Sequence, residues 1–275
     1  MRTPKLYDSH THSYHSPDGH DSVFQLCQSA LDRGLSGIAI TDHYENDVPS
    51  GDEEQRCRES AANIRQAKEI FRKRLDISVG MEMGQGPSDT QRAAAIVDEL
   101  RPDVVLGSIH HLNGPHDEIY HTNFAGVSAA YVNQFMHDYF RKVYEVVEWG
   151  NFDVLSHITM PHRYLVSIFK VHVDLARYEE DIEEILKLCA QKGKAIEINT
   201  SGLRTDHKEF MPLARHVKRF HELGGEVVTL GSDAHYMEHV GEGLTPALDV
   251  LREAGFKYYG FFKERKPVMI PLLSF

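Results

Sequence analysis

Apolar residues along this chain fall into two alternating patterns. The first consists of short, nearly continuous runs that end on polar or ionisable side chains. These are Leu6 to His12, Ile38 to His43, Ile77 to Glu82, Val104 to His111, Val154 to His157, Ala195 to Asn199 and Val227 to His235. Runs this short and rich in Ile and Val predict strands buried on both faces. The second pattern is helical spacing with recognisable ends. Ser22-Val23-Phe24-Gln25 matches a capping box opening a helix that stops at Arg33-Gly34. Further helices are predicted over Glu53 to Arg74, Thr90 to Leu100, Ser128 to Trp149, Asp174 to Lys192 and Leu244 to Ala254. Another has Pro212 in its first turn and ends at Gly224-Gly225. Tyr44 to Asp52 and Asn113 to Val127 read as long loops.

Strand alternating with helix argues for a parallel α/β sheet. A closed (β/α)7 barrel is the favoured form, with residues 1–275 as one domain. An open doubly wound sheet has the same sequence pattern. In a barrel the carboxyl ends of the strands share one face, so residues far apart in sequence meet in one pocket.

Composition narrows the chemistry. The chain has 30 Lys and Arg, 41 Asp and Glu and a formal charge of −11, a poor match to nonspecific nucleic-acid binding. It also has 18 histidines. Cys27, Cys57 and Cys189 fit neither a disulfide framework nor a thiolate zinc site. Without an apolar leader after Met1 or a membrane-length apolar run, a cytoplasmic protein is expected.

The strand ends carry candidate metal ligands. In His10-Thr11-His12, residues i and i+2 of an extended chain share a face and can reach one cation. Asp233-Ala234-His235 repeats that spacing with a carboxylate. Asp18, in Pro17-Asp18-Gly19, can fold back toward the same pocket or simply make a turn. His43 is a candidate ligand, and Asp42 an imidazole orienter or an acid–base group. Glu82 can bridge two cations. Of His110 and His111 one faces inward, and His110 is preferred. His157 competes with the reading of a hydrogen-bonded core histidine. His137, His216 and His221 fall on helices and are expected at the surface.

Taken together, Asp8-Ser9-His10-Thr11-His12, Thr41-Asp42-His43, Gly80-Met81-Glu82, Gly107 to His111 and Ser232-Asp233-Ala234-His235 resemble the motif set of the polymerase and histidinol phosphatase (PHP) superfamily. Phe152 to Ile158 and Glu197 to Arg204 resemble its histidinol-phosphatase branch. The resemblance implies a distorted seven-stranded barrel with three divalent cations (zinc, iron or manganese). One cation would take His10, His12, Glu82 and Asp233, a second His43, His235 and a loop ligand, and a third Glu82, His110 and His157. Asp18 is the preferred loop ligand, with His15 and His20 as alternatives. Thr159 departs from the acidic residue that the branch carries there.

The implied reaction is hydrolysis of L-histidinol phosphate to L-histidinol and phosphate, in histidine biosynthesis. Asp233 or His235 would handle protons, Arg163 and Arg204 would clamp phosphate, and Asn199 and Ser201 would contact substrate. Rival readings are hydrolysis of a sugar or nucleotide phosphate and a non-catalytic metal-binding module.

Overall fold

The computed structural model describes residues 5–48, 51–114, 119 and 122–272. In chain order its elements are β1 (Tyr7–Asp8), α1 (Val23–Asp32), β2 (Gly37–Ile40), β3 (His43–Glu45), α2 (Gly51–Ile70), β4 (Asp76–Gly84), α3 (Thr90–Leu100), β5 (Val104–Ser108) and α4 (Ala129–Trp149). Then follow β6 (Val154–Leu155), α5 (Met160–Ser167), α6 (Glu179–Gln191), β7 (Ala195–Asn199), α7 (Ala214–Glu222), β8 (Val228–Gly231), α8 (Leu244–Ala254), β9 (Tyr258–Lys263) and β10 (Lys266–Pro271).

The strands β1, β2, β4, β5, β6, β7 and β8 pair in that order, all parallel. The sheet nearly closes through the chain beyond β1 and β8. There Ser9 N donates to Leu230 O at 2.7 Å, Asp233 N to His10 O at 2.8 Å, and His12 N to Ala234 O at 2.8 Å. These bonds bring the two i, i+2 ligand pairs side by side at the barrel mouth. The expected seven-stranded α/β barrel is the fold found.

At the opposite end the antiparallel β9–β10 hairpin crosses the start of the strands. Tyr259 Oη accepts from Tyr7 N at 3.1 Å and donates to Lys5 O at 2.7 Å, and Ser78 Oγ donates to Phe262 O at 2.6 Å.

Three local expectations are corrected. Pro212 does not open a helix: Met211 makes an antiparallel bridge to Asn199, so the chain stays extended until Leu213 and the Met211–Pro212 bond is cis. The run Tyr44–Asp52 begins as strand, because β3 pairs with β4 and sets Glu45 beside Gly84. His216 is buried, on the inner face of α7, with Nε2 3.1 Å from Glu179. Most of the expected Asn113–Val127 loop lies outside the described residues or in irregular chain.

Candidate metal centre

Glu82 on β4 is fully buried at the mouth, and imidazoles from four other chain segments converge on it. Its Oε1 lies 2.7 Å from His157 Nε2 and 3.3 Å from His110 Nε2. Its Oε2 lies 3.0 Å from His43 Nδ1, 3.3 Å from His10 Nε2 and 3.4 Å from His12 Nε2. Asp233 Oδ1 faces His12 at 3.6 Å, His235 at 3.5 Å and His10 at 3.8 Å. Asp18 sits between His235 Nε2, at 3.1 Å, and His43 Nε2, at 3.5 Å. All nine expected metal ligands therefore meet in one place. Four overlapping triads among eight of them hold ligand atoms within 4.8 Å of one another.

Whether this centre suits cations is decided by the imidazole nitrogens. His10 Nδ1 donates to Glu197 Oε1 at 2.7 Å. Ser16 Oγ donates to Asp42, so it accepts from His12 Nδ1 at 3.0 Å. Both Nε2 atoms turn toward the centre, and they face each other across 2.9 Å. Glu82 Oε2, beside them, is buried without a hydrogen-bond partner among the described residues. Two bare nitrogens so close repel unless a proton or a cation lies between them. A set of N and O donors around a buried carboxylate fits divalent cations.

The charges agree. Burial would raise the Glu82 carboxyl, but His10, His110 and His43 hold it well below the ordinary range. Burial would lower His10, but Glu197, Glu82 and Asp233 hold it well above. Burial, then the neighbouring His235, His43 and His10, push His12 well below its usual value, so it is neutral. His110 rises to about 10 against its burial because Glu45 and Glu82 flank it. Cation binding would displace such protons.

A second tier of residues holds the ligands. Asp42 accepts from Ser13 N at 2.6 Å, Ser16 Oγ at 2.9 Å and Ser60 Oγ at 2.5 Å. Its carboxylate is spent on the loop that turns His12, which matches orientation rather than proton transfer. Asp8 fixes the loop after β8, accepting from Ser232 N and Gly241 N, each at 2.8 Å. Glu197 and Glu45 were not among the expected site residues. Alternation along the strand offered a signal for Glu197, which shares a face with Asn199. Glu45 stands two residues beyond His43 in the same extended segment.

A cavity of about 110 Å³ opens over the centre, lined by seven of the nine expected ligands (not His10 or His12) and by Pro17, Glu45, His111, Met160, Arg163 and Tyr164. Arg163 Nη1 is 3.5 Å from Asp233 Oδ2 and also donates to Ser201. Arg204 points elsewhere: it donates to the carbonyls of Ser232, at 2.8 Å, and Asp233, at 3.1 Å. Asn199 Nδ2 reaches Asp233 Oδ2 at 3.3 Å and Ser201 Oγ reaches it at 3.2 Å, so both brace that carboxylate. Of the alternative loop ligands, His15 is held by Asn63 at 2.8 Å and His20 stacks on Tyr236. His111 pairs with Asp47 at 3.0 Å. Thr159 is buried at the start of α5, outside the cavity lining.

The PHP domain family matches residues 8–201. The chain belongs to the PHP domain family. It is 30% identical to a protein of Thermotoga maritima named "Probable histidinol-phosphatase", over 92% of this chain and 94% of that one. It is 27% identical to the "Histidinol-phosphatase" of Lactococcus lactis, over 95% of this chain and 96% of that one. A crystal structure of histidinol phosphate phosphatase from L. lactis, complexed with zinc, L-histidinol and phosphate, superposes with a TM-score of 0.84 at 26% identity, covering 96% of this chain and 99% of that chain. Among the described residues of this PHP protein, no helix is long and apolar enough to cross a membrane.

Proposed function

We propose that this PHP protein is a metal-dependent phosphomonoesterase that hydrolyses L-histidinol phosphate to L-histidinol and phosphate, in histidine biosynthesis. The observation that carries the reading is the pair of imidazole Nε2 atoms that face each other across 2.9 Å beside Glu82 Oε2, an oxygen with no hydrogen bond among the described residues. The full-length likeness to histidinol-phosphatases supports the choice of ester. His10, His12, Glu82 and Asp233 would hold one cation, Asp18, His43 and His235 a second, and Glu82, His110 and His157 a third. Zinc, iron and manganese suit these donors. Bound cations would activate water and neutralise phosphoryl oxygens.

The remaining tasks fall to side chains. Arg163 offers a planar cation at the cavity edge for two phosphoryl oxygens. Arg204, committed to backbone carbonyls, instead holds the loop that carries Asp233 and His235. As water adds to phosphorus, Asp233 or His235 would take up its proton, and as the P–O bond to the leaving group breaks the same group would pass a proton to the departing alkoxide. Asn199 and Ser201 act on substrate through Asp233 and Arg163. Residues 1–275 work as one unit, in the cytoplasm, on a small ester rather than a nucleic acid.

The test is phosphate release from a panel of monoesters by protein of measured metal content, before and after chelation and metal return. L-histidinol phosphate should be turned over fastest, with activity lost and regained with the metal. Strong turnover of another ester and none of this one would shift the substrate. No release from any ester by the metal-loaded protein would leave the non-catalytic binding module.

A further inference from the structure

We infer that Glu197 and Glu45 are positioning residues of the metal centre, each locking one imidazole through a gap that a glycine on the next strand leaves open. The inference rests on the metal-centre reading above and extends it to residues outside the nine ligands.

Glu197, on β7, is buried and uses both oxygens. Oε1 accepts from His10 Nδ1 at 2.7 Å, and Oε2 accepts from His157 N at 2.8 Å. One carboxylate thus sets the ring of one ligand and the backbone of another. The room for it comes from β8. A Cβ on Gly231 would lie 2.0 Å from Glu197 Oε1 and 2.6 Å from His10 Cβ.

The same arrangement recurs across the mouth. Glu45 Oε1 accepts from His110 Nδ1 at 2.6 Å. Its register partner on β4 is Gly84, where a Cβ would lie 1.9 Å from Glu45 Oε2. Neither glycine has a positive φ, so the backbone does not require glycine at either place. Glycine inside a strand weakens it and marks a close approach. Here the approaching group is a carboxylate in both cases.

An imidazole that donates its Nδ1 hydrogen to a carboxylate has a fixed ring plane and tautomer and a more basic Nε2. The two Nε2 atoms so prepared meet Glu82 from opposite sides, His10 at Oε2 and His110 at Oε1, each at 3.3 Å. The two carboxylates therefore set the spacing of the centre that the cations enter. The neighbouring Glu45, Asp47 and His111 also lie within reach of one another. That group is accounted for by the Asp47–His111 ion pair and calls for no further cation.

The experiment titrates metal-free protein with Co²⁺, reading bound metal and the visible d–d absorption, and follows urea unfolding of each metal-free variant. In Glu197→Gln, the amide has one acceptor oxygen for three donors, His10 Nδ1–H, His157 N–H and Asn199 Nδ2–H. Glu197→Gln and Glu45→Gln should each weaken cobalt binding about 10–100-fold and alter the d–d bands. Gly231→Ala and Gly84→Ala should do the same, because the added methyl displaces the carboxylate. Folded Gln variants that bind cobalt with wild-type affinity and spectrum would overturn the inference, even with a lowered urea midpoint, since that is what a purely structural residue gives. If Glu197→Gln proves too unstable to titrate, Glu45→Gln, at the cavity edge, decides by the same criteria. Wild-type protein that takes up no cobalt would sink the metal reading itself and this inference with it.

Discussion

The two ends of this barrel are lined by the same kinds of side chain and treat them oppositely. At the closed end, carboxylates at the strand starts are satisfied. Asp103 accepts from Val79 N at 2.9 Å, Lys68 Nζ at 2.7 Å and Glu264 N at 3.0 Å. Asp153 accepts from Val105 N at 2.8 Å and from Arg265, and Asp76 accepts from Tyr7 Oη at 3.0 Å and Lys263 Nζ at 2.7 Å. At the mouth, Glu82 Oε2 has no hydrogen bond among the described residues, and the Nε2 atoms of His10 and His12 are pressed to 2.9 Å. Buried polar groups are normally paired, so an oxygen left without a hydrogen bond at the centre of so many converging imidazoles points to something the mouth binds. The closed end stabilises the fold, while the mouth spends stability on its ligands.

The sharpest way to break this contrast is to remove the centre of the deficit. Glu82→Ala should release bound metal and lower phosphate release about 10³-fold or more, because two of the three expected ligand groups lose their shared carboxylate. Full metal content in that variant, measured by elemental analysis, would mean that the mouth is merely strained. Next in size is Arg163→Ala. A loss of about 10²-fold in kcat/KM with metal content unchanged is expected if the guanidinium clamps phosphoryl oxygens, as proposed, and does not hold the cations. Metal loss in Arg163→Ala would instead make it a brace for Asp233.

At the closed end the expected effects are on stability alone. Asp103→Asn leaves donors facing an amide and should cost about 2 kcal/mol by urea unfolding at pH 7, with metal content and kcat kept. The pH dependence has a definite sign. Burial raises the Asp103 carboxyl, but Lys68 and the amides of Glu264 and Val79 outweigh it and hold it below the usual range. Its contribution is therefore complete above the unfolded value of about 3.9 and is lost as pH falls through the lower folded value. The gap in urea midpoint between wild type and Asp103→Asn should shrink from pH 7 to pH 3. A gap that widened on acidification would reverse the assignment.

How much of this was legible in the sequence follows the same division. The seven core strands and most helix ends could be read because apolar runs and caps are local signals, as at Thr90–Leu100 and Leu244–Ala254, where boundaries agree to the residue. Eight of the nine expected ligands stand at or near the end of a predicted strand, where the pattern marks them, whereas Asp18 lies in the turn after the first strand and is one of three loop candidates. What stayed hidden depends on partners distant in sequence. The hairpin over the barrel floor depends on Tyr259 meeting Tyr7, and Glu197 gains its role from Gly231 on the next strand. Arg204 looked like a phosphate group's partner because its sequence neighbours lie near the centre, whereas its guanidinium is taken up by the carbonyls of Ser232 and Asp233. His216 looked exposed because a polar ring on a helix usually is, and only the packing of α7 against Glu179 buries it.

The smallest effect separates chemistry from location. Ser22 caps α1 in the segment that leaves the barrel mouth, yet its bonding is complete. Its Oγ accepts from Gln25 N at 3.2 Å, and Gln25 Oε1 accepts from Ser22 N at 2.9 Å. If a group's role follows from whether its bonds are satisfied, Ser22→Ala should behave like a closed-end variant. It should cost about 1 kcal/mol in urea unfolding, the usual loss for a removed N-cap, and leave cobalt affinity and kcat at wild-type values. If nearness to the mouth were what mattered, the same substitution would disturb the metal centre through Asp18 and His20 in the preceding loop. A measurable fall in cobalt affinity in Ser22→Ala would therefore replace the distinction between satisfied and unsatisfied groups with a simpler one between the two ends.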